Sequence, residues 1–142
     1  MKIYLASSWR NAQYPSVLEQ LRAAGFDVYD FRHPVRGDYG FSWSEIDPDC
    51  QKWDVDGYRR GLAHPAAERG SKFDMDALKD CDTCVLLLPC GRSAHLELGY
   101  AVGAGKKTYV LQLGPQEPEL MVKMCTDIAA SVPELLTMLR AL

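Results

Sequence analysis

Residues 84–88 form an uninterrupted apolar run that ends at Pro89 and Gly91. Such a strand belongs to a parallel sheet covered on both sides, because a solvated face would show alternating polar residues. The rest of the chain alternates between short apolar strands and helical patterns. Strands are predicted over residues 3–6, 26–29, 83–88, 108–113 and 128–129, and helices over 14–24, 74–78, 93–104, 117–125 and from Ser131 onwards. The predicted fold class is α/β, with ligand sites beyond the carboxyl ends of the strands.

Composition and charge favour one globular domain. The 142 residues are 47% hydrophobic and 25% charged, which suits a single domain with its own core over residues 1–142. The net charge of -3, without runs of like charge, gives no reason to expect a nucleic-acid polymer or a membrane as partner. The five cysteines are odd in number and scattered, and Met1 leads directly into a strand. We therefore expect a cytoplasmic protein.

Residues 31–62 differ in character from the rest of the chain. They are rich in Pro, Gly, Trp, Tyr and Asp and show neither helical nor strand periodicity, so we predict a long irregular insertion. A loop of this length inside a compact domain is usually a binding segment or a lid. We expect it to cover an active site.

Two polar segments follow the first and third predicted strands: residues 7–11 (SSWRN) and residues 90–93 (CGRS). Because parallel strands end at one edge of the sheet, both segments are expected beside the ligand site. Hydroxyls, arginines and the free amides of a helix start suit a phosphate or a sugar hydroxyl. The alternative is that Ser93 merely caps the next helix and Arg92 is solvated.

Glu97 is a carboxylate in an otherwise apolar helical segment, residues 96–101 (LELGYA). Burying a carboxylate is costly, so one interpretation is functional: near the helix start we expect Glu97 to stay ionised and to act as a nucleophile toward a sugar carbon. The alternative is a glutamate on the solvated stripe of an amphipathic helix. Gly99 and Gly103, four residues apart, predict close backbone packing on this helix.

A group of four aspartates precedes the central strand: Asp74, Asp76, Asp80 and Asp82. Transfer at a glycosidic carbon needs a proton donor across the site from the nucleophile, and any of the four would serve. The alternative is that they stabilise the start of a helix.

No metal or cofactor is expected. Cys81 and Cys84 form a C-x-x-C without a second pair, and Cys90 with His95 lacks the spacing of zinc ligands. The glycines form neither a G-x-G-x-x-G nor a Walker motif. Cys90 with His95 is conceivable as a nucleophile pair, but a strand-end thiol is the commoner case.

Three blocks of the chain resemble the nucleoside 2-deoxyribosyltransferase family and its relatives, the nucleoside 5′-monophosphate N-glycosidases. Residues 1–7 (MKIYLAS) resemble the family's first strand and sugar-binding turn, and residues 74–82 (DMDALKDCD) resemble its acid-bearing helix. Residues 96–101, followed by Gly105 and Lys106, resemble its nucleophile helix. The blocks keep their order and spacing over residues 1–113.

The resemblance implies roles for three residues. Glu97 would be the nucleophile that forms a glycosyl ester at C1′, Asp74 would exchange a proton with the departing base, and Tyr4 would hydrogen-bond to the Glu97 carboxylate and position it. It also implies a flavodoxin-like, Rossmann-like sheet of five parallel strands with helices on both faces, assembled as a homodimer or larger homo-oligomer. The expected partner is a small nucleoside or nucleotide.

Gly91 departs from the pattern of the transferases, which have an aspartate six residues before the nucleophile to contact the sugar. A loop with Arg92 and Ser93 at this place resembles instead the monophosphate N-glycosidases, in which hydroxyls and basic groups hold the 5′-phosphate. The candidate substrate-binding residues are therefore Ser7, Arg10, Gly91, Arg92 and Ser93. Residues 43–48 match neither group.

The expected reaction is cleavage of the N-glycosidic bond of a nucleotide or nucleoside through a Glu97-linked intermediate, with the sugar passed to water or to a second base. Two alternatives stay open. A TIR-like hydrolase of NAD or a related dinucleotide shares the flavodoxin-like sheet and a helix-borne glutamate. A non-catalytic nucleotide-binding module would use Glu97 only to accept a hydrogen bond from a ribose hydroxyl.

Overall fold

The structure is a computed structural model that describes residues 1–141. The chain divides into two compact units. The first contains residues 1–30 and the chain from Leu78 onwards, and the second contains Phe31–Ala77.

The first unit is built on one sheet of five parallel strands in the order β2-β1-β3-β4-β5. The strands are β1 (Lys2–Ala6), β2 (Asp27–Tyr29), β3 (Thr83–Leu87), β4 (Lys107–Leu111) and β5 (Asp127–Ala129). All five predicted strands are present, with ends within two residues of those predicted. Every residue of β3 is buried, as its uninterrupted apolar run requires.

Five α-helices occur within the described residues: α1 (Tyr14–Ala23), α2 (Val55–Leu62), α3 (Pro65–Asp80), α4 (Arg92–Gly103) and α5 (Val132–Arg140). In the first unit, α1 packs against α5, and α4 packs on β1, β3 and β4. Right-handed crossovers put α1 and α4 on opposite faces, because β2 lies to one side of β1 and β4 to the other side of β3.

The predicted helix ends depend on particular residues. Gly25 and Gly105 follow α1 and α4 with φ of 97° and 76°, a backbone region that terminates helices and favours glycine. Ser131 caps α5 by accepting a hydrogen bond from the Glu134 amide at 3.2 Å. The helix predicted over 117–125 is wrong: only Leu120–Met124 form a short 3-10 helix, because Pro118 interrupts the pattern.

The second unit contains more regular structure than its sequence predicts. Residues 31–54 hold two short 3-10 helices, Trp43–Glu45 and Cys50–Lys52, but Val55–Leu62 form a regular α-helix inside the stretch predicted to be irregular. The Asp54 side chain caps that helix by accepting a hydrogen bond from the Gly57 amide at 2.7 Å. Helix α3 also starts earlier than the predicted residue 74, at Pro65, where the fixed φ of proline suits a first turn.

The second unit contains an aromatic cluster. The Trp43 ring meets Phe41, Trp53 and Tyr58 edge to face, with centroids 4.9, 5.8 and 6.0 Å apart. Trp53 Nε1 donates a hydrogen bond to Asp47 Oδ2 at 2.8 Å. Among the helices of residues 1–141, none has the length and apolar character needed to cross a membrane.

Candidate active site

The adjacent strands β1 and β3 form the centre of the sheet, and their carboxyl ends lie side by side. Tyr4 on β1 is paired in register with Tyr29 on β2 and Cys84 on β3. Its ring is buried and stacks on that of Tyr29, with centroids 5.3 Å apart and planes at 22°. This stacking gives the Tyr4 hydroxyl a defined direction.

The side chain of Glu97, on α4, contacts the Tyr4 hydroxyl. The buried residues Ala94, Leu98 and Ala101 define the inward face of α4, and Glu97 lies at the edge of that face, in the second turn. Tyr4 Oη donates a hydrogen bond to Glu97 Oε2. The contact that the family resemblance implies for this pair is therefore present, while the catalytic roles of both residues stay predictions.

Burial raises the pKa of Glu97 to about 7. The sequence led us to expect an ionised carboxylate held so by the helix start, and the structure corrects this expectation. Removal of water disfavours the charged form more than the helix N-terminus stabilises it, because Glu97 is already in the second turn. The carboxyl group is thus divided between its neutral and charged forms near neutral pH.

Two hydrogen bonds join the loop that follows β1 to the end of β3 and to the loop after it. Ser7 Oγ donates to the Leu87 carbonyl at 2.9 Å, and Asn11 Nδ2 donates to the Pro89 carbonyl at 3.2 Å. Asn11 is itself buried, and its Oδ1 accepts a hydrogen bond from the Gln13 amide at 2.9 Å. The segments predicted to lie together at the sheet edge are therefore adjacent.

The remaining candidate binding residues lie in these two loops and at the start of α4. Arg10 is exposed in the first loop, and its amide donates to Ser8 Oγ at 3.1 Å. Arg92 and Ser93 are exposed in the first turn of α4. The alternative in which Ser93 caps the helix is wrong, because extended Gly91 is the N-cap and Ser93 already lies inside the helix. The N-cap residue of α4 is a glycine, so it offers no side chain to the first amides of the helix.

Asp76, Asp80 and Asp82 each contact a lysine. Asp76 Oδ2 is 2.8 Å from Lys72 Nζ, Asp80 Oδ2 is 2.6 Å from Lys2 Nζ, and Asp82 Oδ2 accepts a hydrogen bond from the Lys2 amide at 2.8 Å. Asp74 is half-buried on α3, within the second unit. Its role as proton donor stays a prediction.

Cys90 and His95 are close, with Sγ 3.6 Å from Nδ1, but they do not form an activated pair. Burial raises the pKa of Cys90 to about 11, so the thiol is protonated at neutral pH. Both residues line a cavity of about 370 Å³ together with Gln112 and Ile128. His95 and Glu97 are two residues apart, which places them about 200° apart around α4. This cavity therefore lies on a different side of α4 from the Tyr4–Glu97 pair.

Two further features were missed or misread in the sequence. The sequence places Tyr29 only within a strand, and its pairing with Tyr4 becomes evident from the register of β1 and β2. Gly99 and Gly103 do not serve close packing within the chain, because a Cβ at either would meet nothing within 4 Å.

Lys106 of the third family block has a structural role: its Nζ donates to the carbonyls of Lys79 and Cys81, at 2.9 and 2.6 Å.

Solved structures share this architecture over almost the whole chain. A 2-deoxyribosyltransferase from Bacillus psychrosaccharolyticus matches with a TM-score of 0.58 at 19% identity, covering 95% of this chain and 90% of that one. The chain has the fold of a 2-deoxyribosyltransferase. The CMP N-glycosidase BcmB of Clostridium botulinum matches with a TM-score of 0.54 at 20% identity, covering 99% of both chains.

A third similar structure is a conserved protein from Enterococcus faecalis V583, with a TM-score of 0.62 at 14% identity over 99% of this chain and 98% of that one. No protein-family model matches the sequence, and no curated protein is similar to it. The strand order of the sheet and the similar solved structures confirm the predicted flavodoxin-like sheet of five parallel strands.

Proposed function

We propose that this protein is an enzyme that cleaves the N-glycosidic bond of a nucleoside or nucleotide, with Glu97 as the covalent nucleophile. The observation that carries the proposal is the hydrogen bond from the buried Tyr4 hydroxyl, in the middle of β1, to Glu97 Oε2 in the second turn of α4. Partial burial of a carboxylate costs folding free energy, which favours a functional reason for its presence. A carboxylate held by a fixed hydrogen-bond donor is well suited to attack a carbon.

The fold supports the same reaction class. One similar structure is a 2-deoxyribosyltransferase and another is a CMP N-glycosidase. Both names describe chemistry at the bond between a sugar and a base. A partly buried carboxylate in that fold, in contact with a central strand, therefore favours glycosidic chemistry over redox or acyl-transfer chemistry.

The reaction has two steps. Glu97 attacks C1′ to form a glycosyl ester as the bond from C1′ to the base nitrogen breaks, and Asp74 gives its proton to the departing base. Water then attacks C1′, giving its proton to Asp74, and the ester bond breaks to regenerate the Glu97 carboxylate. Water is the favoured acceptor of the sugar, and a second base is the alternative acceptor.

Tyr4 has a positioning role in this scheme. Its hydroxyl fixes one carboxylate oxygen, leaving the other to face the sugar, and it stabilises the charged form against the effect of burial. With a pKa of about 7, enough Glu97 is ionised at neutral pH to act, and the charge is poorly solvated and therefore reactive.

We further propose a 5′-monophosphate as the preferred substrate. Ser7 and Arg10 follow β1, while Arg92 and Ser93 follow Gly91 at the start of α4, where the N-cap glycine offers no side chain to the first amides. Arginines and helix-start amides together suit a dianion. Residues 31–62 would serve as the lid, and the enzyme would act in the cytoplasm.

Release of free base tests the proposal. The protein is incubated separately with nucleosides, 5′-monophosphates and NAD, and chromatography measures the nucleobase or nicotinamide released. Glu97→Gln should lower the rate of base release by several orders of magnitude. The matched control is Glu19→Gln, on the exposed side of α1, which should release base at the wild-type rate. Release from NAD alone would favour a dinucleotide hydrolase. Binding of any of the three compounds without release would favour a nucleotide-binding module. Either result contradicts the proposal.

A further inference from the structure

The cavity of about 370 Å³ in the first unit is not used by the proposed reaction. Three strands contribute apolar residues to its lining: Leu88 follows β3, Val110 lies in β4 and Ile128 lies in β5. The segment after β4 also lines it, through residues 116–119 and Val122. Small-molecule pockets usually measure about 300–1,000 Å³ and lie beyond the carboxyl ends of parallel strands. The cavity therefore has the size and the place of a ligand site.

The charges that line this cavity disfavour an anion. Glu117 and Glu119 are acidic, and of the described residues that line the cavity none is a lysine or an arginine. A phosphate would lie beside two carboxylates with no cation to compensate its charge. An organic cation would have to shed water against the apolar residues of three strands, which a neutral ligand does at less cost. A neutral ligand fits this lining best.

The polar side chains of the lining mostly accept hydrogen bonds. The carboxylates of Glu117 and Glu119 only accept. His95 Nδ1 is 3.0 Å from the Gly91 carbonyl oxygen, so Nδ1 is the donor and Nε2 of the neutral ring is left as an acceptor. The Gln112 side chain offers both a donor and an acceptor. A flat ligand that is rich in N–H donors is therefore favoured.

We propose that this cavity binds a free nucleobase that carries an amino group, such as adenine, at a second site apart from the reaction. The amino group and the ring N–H of the base donate to the acceptors of the lining, and its ring covers the apolar residues. A nucleoside lacks the ring N–H where the sugar is attached, and a nucleotide adds a phosphate. The choice of a base rests on the proposed function, whose product is a free base.

The second site is separate from the proposed nucleophile. His95 lines the cavity and lies about 200° around α4 from Glu97, so a base bound in the cavity is not placed to receive the sugar. Binding of the base and cleavage of the glycosidic bond are therefore separate properties, and each is measured without the other.

Nuclear magnetic resonance of the isoleucine methyl groups tests this proposal, because one of the three isoleucines, Ile128, lines the cavity. Adenine titrated into the wild type should shift the Ile128 signal saturably, through the ring current of the bound base. The signals of Ile3, buried in β1, and of Ile46, in the second unit, should stay in place. Hypoxanthine has a carbonyl oxygen in place of the amino group and should bind about tenfold more weakly or worse, since it loses a hydrogen bond to a charged acceptor.

Two variants and a control locate the site. Val122→Trp fills the cavity and should abolish the Ile128 shift. The matched control is Leu120→Trp, because Leu120 is 78% exposed and does not line the cavity; it should bind adenine like the wild type. Gln112→Leu should weaken binding by about tenfold, and it tests the site if the isoleucine signals show that Val122→Trp is unfolded.

Adenosine 5′-monophosphate is titrated into Glu97→Gln, in which the proposed reaction releases no base. It should leave the Ile128 signal in place at concentrations at which adenine saturates the shift. The absence of a saturable shift with adenine, an equal affinity for hypoxanthine or the monophosphate, or an unchanged shift in a folded Val122→Trp would overturn the proposal. None of these results depends on the base-release assay, so a missing second site and a missing glycosidic activity are distinguished.

Discussion

Tyr4 and Glu97 are 93 positions apart in the chain and are joined by a hydrogen bond from the buried tyrosine hydroxyl to the carboxylate. The stacking of Tyr4 on Tyr29 and the buried face of α4 fix the two partners independently. A preformed pair of this kind needs no rearrangement before reaction, which is the arrangement expected for electrostatic preorganisation.

The first prediction concerns the pH dependence of base release. Because Glu97 must be ionised to attack and its pKa is about 7, kcat/KM of the wild type should rise with pH to a midpoint near that value. Tyr4→Phe removes the donor that stabilises the charged form, so its midpoint should move to higher pH. Steady-state kinetics between acid and alkaline pH measure both.

The matched control for Tyr4→Phe is Tyr14→Phe, which removes another buried hydroxyl, hydrogen-bonded to Asp30 Oδ1 at 2.9 Å. Its midpoint should equal that of the wild type. An unchanged midpoint in Tyr4→Phe would show that the hydrogen bond does not act on the carboxylate in the reaction.

A second prediction concerns Asp74. If it protonates the departing base, Asp74→Asn should slow the release of poor leaving groups much more than that of good ones, because a stable leaving anion needs no proton. Rates for a series of bases of different acidity provide the measurement. Asp76→Asn, which affects an aspartate paired with Lys72 on the same helix, should reduce all rates equally or not at all. Equal losses in Asp74→Asn across the series would argue for a positional role.

A third prediction concerns the phosphate. Arg92→Ala should lower kcat/KM for a 5′-monophosphate by about tenfold to a hundredfold, the effect of one charge-assisted hydrogen bond, and leave that of the unphosphorylated nucleoside nearly unchanged. Arg140→Ala, at the end of α5, is the control substitution. Equal wild-type activity on nucleoside and monophosphate, or parallel loss of both in Arg92→Ala, would remove Arg92 from the binding site.

A fourth prediction concerns stability. The pKa of Glu97 is raised from 4.5 to about 7 by folding, so the native state binds a proton that the unfolded state releases, and stability falls as pH rises between these values. Glu97→Gln has no such proton and should be more stable than the wild type above pH 7, by on the order of 3 kcal/mol. Urea unfolding at several pH values measures the difference, which should vanish below about pH 4. A constant difference at all pH values would contradict a Glu97 carboxyl that titrates with a pKa raised by burial.

The sequence predicts the sheet well because its strands are continuous apolar runs and its helices end at Gly25 and Gly105, where the backbone itself requires glycine. These are local signals. The contact between Tyr4 and Glu97 was expected only from the family resemblance. Nothing in the local pattern of either residue specifies its partner on another element.

Helix α2 was missed for the opposite reason. Gly57 and Gly61 look like helix breakers in the sequence, but here they allow the helix backbone to lie on Trp53, a contact that periodicity does not report. The helix α4 begins one residue earlier than predicted, because Ser93 is a favourable cap in the sequence, while the backbone at Gly91 already takes the capping conformation.

The stereochemistry at C1′ tests the covalent role of Glu97 most directly. With methanol as acceptor, the sugar is trapped as a stable methyl glycoside, whose configuration nuclear magnetic resonance reads without mutarotation. Two successive displacements through a Glu97 ester predict the methyl glycoside with the configuration of the substrate retained, and no such product from Glu97→Gln. A product of inverted configuration would mean that the acceptor attacks directly, and would contradict the glycosyl-Glu97 intermediate.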